Sequence, residues 1–366
     1  MVRTEGLSAP PGPFSERNPV LLFLLRAASF LYGLGVRLRL FLYKKGLLSS
    51  RRLPLKVLSI GNLSSGGTGK TPHTALLALY LKGLGLKTAV LSRGYRGTKM
   101  KKGAVISDGR SVTGTIEEGG EEPVWLARNL AGIPVLVGRD RYRSGLFCHK
   151  TWQSEWVVLD DGFQHLQLHR DINLLLVSGH RPLSSDRLLP RGSLREPIKG
   201  MDRADAILVT HSERVEKAER EQISKALNER VPSRPVFFSR HQPIWLKPIL
   251  GEKKLPLSLL EGKKVIGFCG LADPGSFEFS LRQLGADPVR MIPFADHHFY
   301  EEKDKIALEE MGRQARIDYL VTTEKDAVKL GKWTPPDLPL LVLGITIEIL
   351  EREFYEWLDR KVRPGI

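Results

Sequence analysis

Glycine, lysine and threonine lie at spacings suited to phosphate binding in one segment, which reads Ser64, Ser65, Gly66, Gly67, Thr68, Gly69, Lys70, Thr71. Glycines let consecutive backbone N–H groups close around phosphate oxygens, and a helix N-terminus behind them adds partial positive charge. In this pattern Lys70 reaches the β- and γ-phosphates, and the hydroxyl of Thr71 holds Mg²⁺. Ser64 departs from the pattern, since a glycine usually stands there. We predict a nucleotide-binding phosphate loop; the alternative is a glycine-rich turn in which Gly-Lys-Thr occurs by chance.

A pair of adjacent carboxylates, Asp160 and Asp161, follows an apolar run that begins at Trp156. In phosphate-loop proteins an acid at the end of a nearby strand holds Mg²⁺ beside the loop. The alternative is that the pair only caps a helix. We predict that both acids lie at the metal.

Two further polar segments stand next to predicted strands or helices. Arg93 and Tyr95 follow the strand predicted for residues 88–92, and open α/β sheets bind ligands at the carboxyl ends of their strands. Glu121 and Glu122 precede a helix predicted for residues 124–130. Carboxylates in that position often serve only as partners of the helix dipole. For the loop at Arg93 and Tyr95 the alternative is a plain basic turn, and for Glu121 and Glu122 it is a role as dipole partners only.

The sequence Asp296-His297-His298 offers a second group of side chains that could take part in chemistry. A metal pair is conceivable, but adjacent residues rarely present ligands to one ion, and no third ligand stands nearby in sequence. We therefore favour one histidine that works with a carboxylate.

An apolar run from residue 20 to 36, interrupted by Arg26, precedes the phosphate loop and is followed by a basic cluster. A transmembrane helix needs about 20 apolar residues, and a central arginine costs about 2.5–3.5 kcal/mol. A cleaved signal peptide would export a nucleotide site to a compartment without ATP. Arg26, Gly33, Arg37 and Lys44 fall on one helical stripe, which favours a helix lying at the membrane surface. A single span is the next alternative, and either arrangement leaves the rest of the chain in the cytosol.

Strands and helices alternate along the chain, which predicts an α/β fold with mostly parallel sheets. We divide it into a leader and membrane-associated helix (1–50), a phosphate-loop domain (51–234), a β-linker (235–250) and a smaller α/β domain (251–366). A long proline- and arginine-rich loop covers residues 181–197, and loops of that length are usually functional or disordered.

Composition limits the classes of partner. The chain has 366 residues and a formal net charge of +15, which suits nucleic acid, an acidic membrane or a phosphorylated ligand, or reflects a generic basic surface. Cys148 and Cys269 are its only cysteines, so we expect neither a disulfide framework nor a cysteine metal site. We find no RNA-binding signature, predict no nucleic-acid partner, and see no sign of an obligate protein partner.

Six short motifs occur together, in order, from the phosphate loop to the last third of the chain. They are Gly-Asn at 61–62 with Gly-Gly-Thr-Gly-Lys-Thr-Pro at 66–72, Ser-Arg-Gly-Tyr at 92–95, Asp-Asp-Gly-Phe-Gln-His at 160–165, Leu-Arg-Glu-Pro at 194–197, Asp-His-His at 296–298 and Thr-Glu-Lys-Asp at 323–326. In these motifs the chain resembles the tetraacyldisaccharide 4′-kinase family of lipid A biosynthesis. Asp-Asp-Gly-Phe-Gln-His and Thr-Glu-Lys-Asp together are far more specific than the phosphate loop alone.

This resemblance implies two α/β/α sandwich domains, the first of phosphate-loop type, with ATP and Mg²⁺ in the cleft between them. It implies transfer of the γ-phosphoryl group of ATP to the 4′-hydroxyl of a tetra-acylated glucosamine disaccharide 1-phosphate, giving lipid IVA. The substrate would be an acylated lipid, met at the cytoplasmic face of the bacterial inner membrane.

Site residues also follow from the resemblance. The phosphate loop would bind ATP, and the metal ligands would be Thr71, Asp160, Asp161 and Glu196. The substrate would contact Arg93, Tyr95, Gln164, Arg195 and Glu196. Catalysis would involve Lys70, Asp160, Asp161, His297 and the acid of a Gly-Asp-Glu-Pro motif.

The chain departs from the family at that acid, since residues 120–123 read Gly-Glu-Glu-Pro. Glu121 is one methylene longer than aspartate. We predict that it replaces the aspartate and works beside His297 as the base for the acceptor hydroxyl. Two rival functions remain at this stage: a membrane-associated ATPase or GTPase switch with no small-molecule acceptor, and a basic nucleic-acid-binding module.

Overall fold

One hydrogen-bonded sheet of twelve strands runs through the computed structural model, which describes residues 19–180, 187–331 and 333–363. The predicted leader up to residue 18 and the start of the 181–197 loop lie outside the described residues. The strands are β1 Lys56–Asn62, β2 Thr88–Ser92, β3 Ala104–Ser107, β4 Val135–Val137, β5 Trp156–Leu159, β6 Ile172–Ser178, β7 Ala206–Thr210, β8 Val236–Pro248, β9 Lys264–Cys269, β10 Asp287–Pro293, β11 Tyr319–Thr323 and β12 Leu340–Ile349.

The strand order is β10-β9-β11-β12-β8-β7-β6-β1-β5-β2-β4-β3. The β12–β8 and β3–β4 pairs are antiparallel, whereas the other neighbours run parallel. The prediction of a mostly parallel α/β fold is therefore confirmed. Parallel strands need crossover connections, and these are supplied largely by helices.

The helices are α1 Pro19–Lys44, α2 Lys70–Gly83, α3 Ile116–Gly119, α4 Glu121–Asn129, α5 Arg141–Trp152, α6 Lys217–Arg230, α7 Pro274–Gln283, α8 Glu302–Ala315, α9 Glu324–Leu330 and α10 Glu353–Val362. Central strands are buried almost throughout, as β1 shows between Val57 and Asn62. Parallel strands that helices cover on both faces are buried in this way.

Strand β8 joins the two halves of the sheet. Its first residues pair in parallel with β7, where Val236 lies opposite Ile207. The rest, from Ser239 to Pro248, pairs antiparallel with β12. The predicted linker ribbon is thus a strand shared by both halves. The division into separate domains stays a prediction.

Helix α10 returns from the C-terminal end of the chain to the first half. Phe354, Trp357 and Leu358 belong to the same buried cluster as Leu77 and Leu81 of α2. The predicted unit 251–366 therefore contributes its last helix to the core around the phosphate loop. A second cluster, which includes Val265, Phe277 and Leu341, forms the core of the other half.

Helix α1 touches the rest of the protein along one narrow face. Ser29 and Gly33 are its buried residues, and the Ser29 hydroxyl donates to the carbonyl of Leu188 at 2.8 Å. The Tyr32 hydroxyl donates to the carbonyl of Arg195 at 2.7 Å. By length and composition alone, α1 qualifies as a helix that could cross a membrane.

Candidate active site

The carboxyl ends of the central strands open into a cleft of about 1060 Å³. The predicted site residues that line it are Ser65, Gly66, Gly67, Thr68, Gly69, Lys70, Thr71, Arg93, Tyr95, Asp160, Asp161, Gln164, Arg195, Glu196 and His297. Among the described residues predicted for the site, Ser64 and Glu121 fall outside this lining. Strand ends meet here because the phosphate loop and both acids follow neighbouring parallel strands, β1 and β5.

The phosphate loop connects β1 directly to α2. Gly69 precedes the first helical residue, Lys70, and has φ of 72°. A side chain at Gly69 would also place its Cβ 2.9 Å from Nε2 of His241. Both the positive φ and the lack of space therefore require glycine here. Asn62 holds the loop from within: its Nδ2 donates to Oγ1 of Thr68 at 2.8 Å, and Nζ of Lys70 donates to its Oδ1 at 3.3 Å.

Asp160 follows β5 and is buried beneath the loop. Oγ1 of Thr74 donates to its carboxylate at 3.1 Å and Oγ of Ser92 at 3.3 Å. Burial and the nearby charges of Glu122 and Asp161 raise the pKa of Asp160 above its ordinary value. Three carboxylates thus crowd one part of the cleft, which is an environment that a bound cation stabilises.

Asp161 has a positive φ of 52°, and its carboxylate has other partners than that of Asp160. Nη1 of Arg195 donates to both carboxylate oxygens, at 2.8 and 2.7 Å. Nζ of Lys70 lies 3.9 Å from Oδ1. Burial alone would raise the pKa of Asp161, but the charges of Lys70 and Arg195 outweigh it and hold that pKa below its ordinary value.

Gln164 and Glu196 form one hydrogen-bonded unit at the cleft wall. Nε2 of Gln164 donates to Oε1 of Glu196 and to the carbonyl of Asn62, both at 2.8 Å. The other carboxylate oxygen, Oε2, accepts from Arg203 at 2.7 Å. Both oxygens of Glu196 are therefore engaged by protein groups in this structure.

Glu121 and His297 meet across the cleft although they are 176 residues apart. Nδ1 of His297 lies 2.7 Å from Oε1 of Glu121, and Nζ of Lys329 lies 3.1 Å from Oε2. The hydrogen bond to Glu121 raises the pKa of His297 above its ordinary value, against the effect of burial. Because Glu121 is buried and His297 lines the cleft, the histidine is the member of the pair that a substrate can reach.

The adjacent histidine, His298, points elsewhere. Its Nε2 lies 2.7 Å from Oδ2 of Asp304, near the start of α8. The two histidines of the motif therefore have different carboxylate partners, and His297 is the one that lines the cleft. Glu121, Asp296 and His297 lie close enough together to hold an ion, but the direct hydrogen bond occupies Nδ1.

Glu122 and Lys325 are charged residues of the cleft to which the sequence alone assigned no role. Glu122 lines the cleft, and its Oε1 is 2.8 Å from Nζ of Lys325. Helix geometry was the sequence feature that could have indicated a role for Glu122. Glu121 begins α4, and successive helical side chains point about 100° apart. One acid of the pair therefore points into the interior and the next one into the cleft.

The Thr-Glu-Lys-Asp motif at residues 323–326 connects the two halves. Oγ1 of Thr323 caps α9 by accepting from the backbone N–H of Asp326. Oδ1 of Asp326 accepts from the N–H of Gly270 at 3.0 Å and from the hydroxyl of Tyr300 at 2.9 Å. Lys325 reaches Glu122 in the first half. The motif thus fixes one side of the cleft against the other.

Arg93 and Tyr95 both lie in the cleft lining, on the loop that follows β2. The Tyr95 ring stands 5.7 Å from that of His297, measured between centroids. Nη1 of Arg96, the next residue, donates to the carbonyl of His297 at 3.1 Å. This loop therefore helps to hold the histidine from the first half of the chain.

Comparison with known proteins gives one consistent answer. The family model for tetraacyldisaccharide-1-P 4′-kinase matches residues 21–363. The tetraacyldisaccharide 4′-kinase of Syntrophus aciditrophicus is 40% identical over 362 residues, covering 97% of this chain and 96% of that protein. That of Desulfatibacillum aliphaticivorans is 38% identical over 351 residues, with 93% of each chain covered.

A solved structure is also similar. The crystal structure of the "apo" form of LpxK from Aquifex aeolicus in complex with ATP has a TM-score of 0.72 and 33% sequence identity, covering 93% of this chain and 98% of that one. Sequence, fold and site geometry agree, and the chain belongs to the tetraacyldisaccharide 4′-kinase family.

Proposed function

We propose that the cleft brings the γ-phosphate of ATP, held on the phosphate loop, against a hydroxyl whose proton His297 accepts. Membership of the family makes the chain an ATP-dependent kinase of lipid A biosynthesis, acting on the 4′-hydroxyl of a tetraacyl disaccharide. The observation that supports the residue roles is that Lys70 of the first half and His297 of the second half line one cleft, with Glu121 hydrogen-bonded behind the histidine. Phosphoryl transfer depends mainly on such positioning and on neutralisation of charge.

The residues at the strand ends suit Mg²⁺. Thr71, Asp160 and Asp161 offer oxygen donors, which are the ligands Mg²⁺ takes, and all three line the cleft. These three would hold the ion. Glu196 would reach it only after release from Gln164 or Arg203. When bound, Mg²⁺ would neutralise charge on the transferring phosphoryl group.

His297 supplies the base in this proposal, in place of Glu121 as predicted from the sequence, because Glu121 is buried and His297 lines the cleft. Glu121 orients the histidine. A carboxylate accepts the proton of Nδ1, which leaves the lone pair of Nε2 free for the acceptor hydroxyl. When His297 takes that proton, the negative charge of Glu121 stabilises the imidazolium. Lys329, which is fully buried, pairs with the second oxygen of Glu121 and keeps the carboxylate in place.

One assay tests the function as a whole. Purified protein is given ATP, Mg²⁺ and a detergent-dispersed tetraacyl disaccharide 1-phosphate, and products are identified by mass. We expect one phosphate on the 4′-hydroxyl and one ADP for each product. ADP formation that is unaffected by the acceptor would instead favour an ATPase switch.

Removal of either strand-end acid tests the metal assignment. Asp160→Asn and Asp161→Asn should each weaken apparent Mg²⁺ affinity by at least about 10–100-fold, the range seen when groups supporting a metal are lost. Higher Mg²⁺ should partly restore turnover in at least one variant. Asp202→Asn, which alters an exposed carboxylate, serves as the control. Two variants with unchanged Mg²⁺ dependence would contradict the assignment.

The outward face of α1 is proposed to lie in the cytoplasmic surface of the inner membrane. Phe23, Phe30, Leu34 and Phe41 are each more than half exposed. At about 100° per residue they fall within a narrow sector, opposite the face that Tyr32 and Ser29 turn to the protein. Exposed apolar patches of this kind mark membrane or partner contacts, and the basic residues around them favour anionic lipid.

Two variants separate membrane binding from the cleft contacts of α1. Deletion of residues 1–50 should shift the protein to the soluble fraction and raise KM for a lipid acceptor more than KM for ATP. Changing Phe23, Phe30, Leu34 and Phe41 to glutamine should reproduce the shift while keeping the bonds of Ser29 and Tyr32. Vesicle sedimentation measures the partitioning. Undiminished vesicle binding by the folded quadruple variant would refute this orientation of α1.

A further inference from the structure

Three side chains with metal-binding atoms meet beside the phosphate loop, away from the acids at the strand ends. His211 directly follows β7 and has φ of 59°. Glu213 lies two residues on, and His241 belongs to β8. None of the three has a role predicted from the sequence, because His241 is distant from the other two along the chain and they match no metal-binding motif.

The distances between their ligand atoms suit one small cation. Nδ1 of His211 lies 3.4 Å from Oε1 of Glu213, and Nδ1 of His241 lies 3.6 Å from the same oxygen. All three atoms fall within 4.8 Å of one another. Zinc binds imidazole nitrogen and carboxylate oxygen at about 2.0–2.2 Å, so tetrahedral ligands stand roughly 3.3–3.6 Å apart. An ion would therefore fit between them after little movement.

The nitrogens at this point face the Glu213 carboxylate without a well-formed hydrogen bond to it. Nε2 of His211 lies 3.1 Å from the carbonyl of Gly67, which can only accept, so this nitrogen carries the proton. In the neutral ring Nδ1 then has a lone pair directed at the carboxylate. Within the described parts of the chain, Nδ1 of neither histidine has a hydrogen-bond partner.

Burial makes that arrangement costly without a cation. The side chains of His211 and Glu213 are each 5% exposed, and that of His241 is 10% exposed. Unpaired polar atoms in such surroundings cost free energy, and a shared ion removes the cost.

The groups around the three side chains also match those of metal sites. Histidine ligands usually donate their other ring N–H to a carbonyl or carboxylate, and ligating carboxylates accept further hydrogen bonds. His211 contacts the carbonyl of Gly67, and the backbone N–H of His241 donates to Oε2 of Glu213 at 3.0 Å. Both histidines line the cleft, which gives an ion a route in and leaves coordination positions for water.

We propose that His211, Glu213 and His241 form a second cation site, which takes a divalent transition metal such as Zn²⁺ or Co²⁺. Two imidazoles and one carboxylate select such ions over Mg²⁺, which prefers oxygen ligands. The bound ion ties the loop after β7 and the shared strand β8 to Gly67 of the phosphate loop. This goes beyond the proposed kinase function, and it can fail or hold independently of it.

Metal binding by the full-length, detergent-solubilised protein tests this site. After chelation, the protein is titrated with Co²⁺ in excess Mg²⁺, so that the acids at the strand ends are occupied. We expect one tightly bound Co²⁺ with the visible absorption of nitrogen-ligated cobalt. Zn²⁺ should displace it and should raise Tm, whereas further Mg²⁺ should do neither.

Variants then locate the ion. His211→Ala, His241→Ala and Glu213→Gln should each lose the Co²⁺ absorption and weaken binding by at least about 10-fold. His180→Asn is the matched control: its ring lies 5.3 Å from that of His211, but it pairs with Asp273 and should bind Co²⁺ normally. Circular dichroism and Tm in the metal-free state confirm folding.

Several results would overturn the site. The first is that the wild-type protein binds no Co²⁺ in excess Mg²⁺. The second is that the cobalt bands persist in the folded His211→Ala variant. The third is that the bands are lost in Asp160→Asn, which would place the ion at the strand-end acids. If the alanine variants do not fold, Glu213→Asp decides, because a carboxylate one methylene shorter keeps the charge but should weaken Co²⁺ binding. Unchanged affinity in that variant would mean that Glu213 is not a ligand and that Co²⁺ binds elsewhere.

Discussion

Lys70→Ala should lower kcat for phosphoryl transfer by at least about 10²–10³-fold, the usual cost of removing one group that stabilises developing charge. Lys70 is the basic residue of the phosphate loop, and its Nζ already lies near Asn62 and Asp161. It is therefore placed to neutralise the β- and γ-phosphate oxygens. Product formation is measured by mass with the disaccharide acceptor, and circular dichroism reports the fold.

Lys82→Ala provides the matched control for this prediction. Lys82 stands in the last turn of the same helix, α2, and is exposed, so its loss removes equal charge far from the cleft. Turnover of Lys82→Ala should match that of the parent protein. Near-normal turnover in a folded Lys70→Ala variant would reject the assignment of the phosphate loop.

His297→Ala should lower kcat by on the order of 10²–10⁴-fold, the contribution usual for general acid–base catalysis. Glu121→Gln should cost a comparable factor, because the amide keeps the size of the side chain but cannot hold His297 in the same protonation state. If the pair acts as one unit, the double variant should be little slower than either single variant. Glu121→Asp should retain much of the activity, since it keeps the carboxylate.

The control for the pair is His298→Ala, which removes the adjacent histidine whose partner is Asp304. Its turnover should stay close to that of the parent. The rival role for Glu121 is a favourable charge at the start of α4, worth about 0.3–1 kcal/mol of stability. That role predicts a slightly lower Tm for Glu121→Gln with turnover intact, and this outcome would refute the catalytic role.

The pH dependence gives a second readout of the same pair. His297 must be neutral to accept a proton, and Glu121 raises its pKa, so activity should rise as pH increases through that raised value. In Glu121→Gln the negative charge is gone, the pKa of His297 falls, and the acidic limb of the kcat profile should move to lower pH. An unmoved limb would mean that another group titrates.

The sequence determined the features that depend on neighbouring residues. The phosphate loop follows from glycine, lysine and threonine spaced between a strand and a helix, and Asp160 and Asp161 follow from an apolar strand that ends in two acids. Because parallel strands end at one edge of a sheet, these local patterns also place both groups together, as the structure shows. The alternation of strands and helices was sufficient to predict a mostly parallel sheet.

The tertiary structure decided which distant residues meet and which way neighbouring side chains point. Sequence motifs named Glu121, but helix geometry buries it behind His297 and turns Glu122 toward Lys325 in the cleft. His211, Glu213 and His241 come together only because β7 and β8 are adjacent strands. Such contacts follow from the order of the strands in the sheet and from the crossovers between them. The periodicity of residues within one segment does not encode them, because they depend on how different segments pack together.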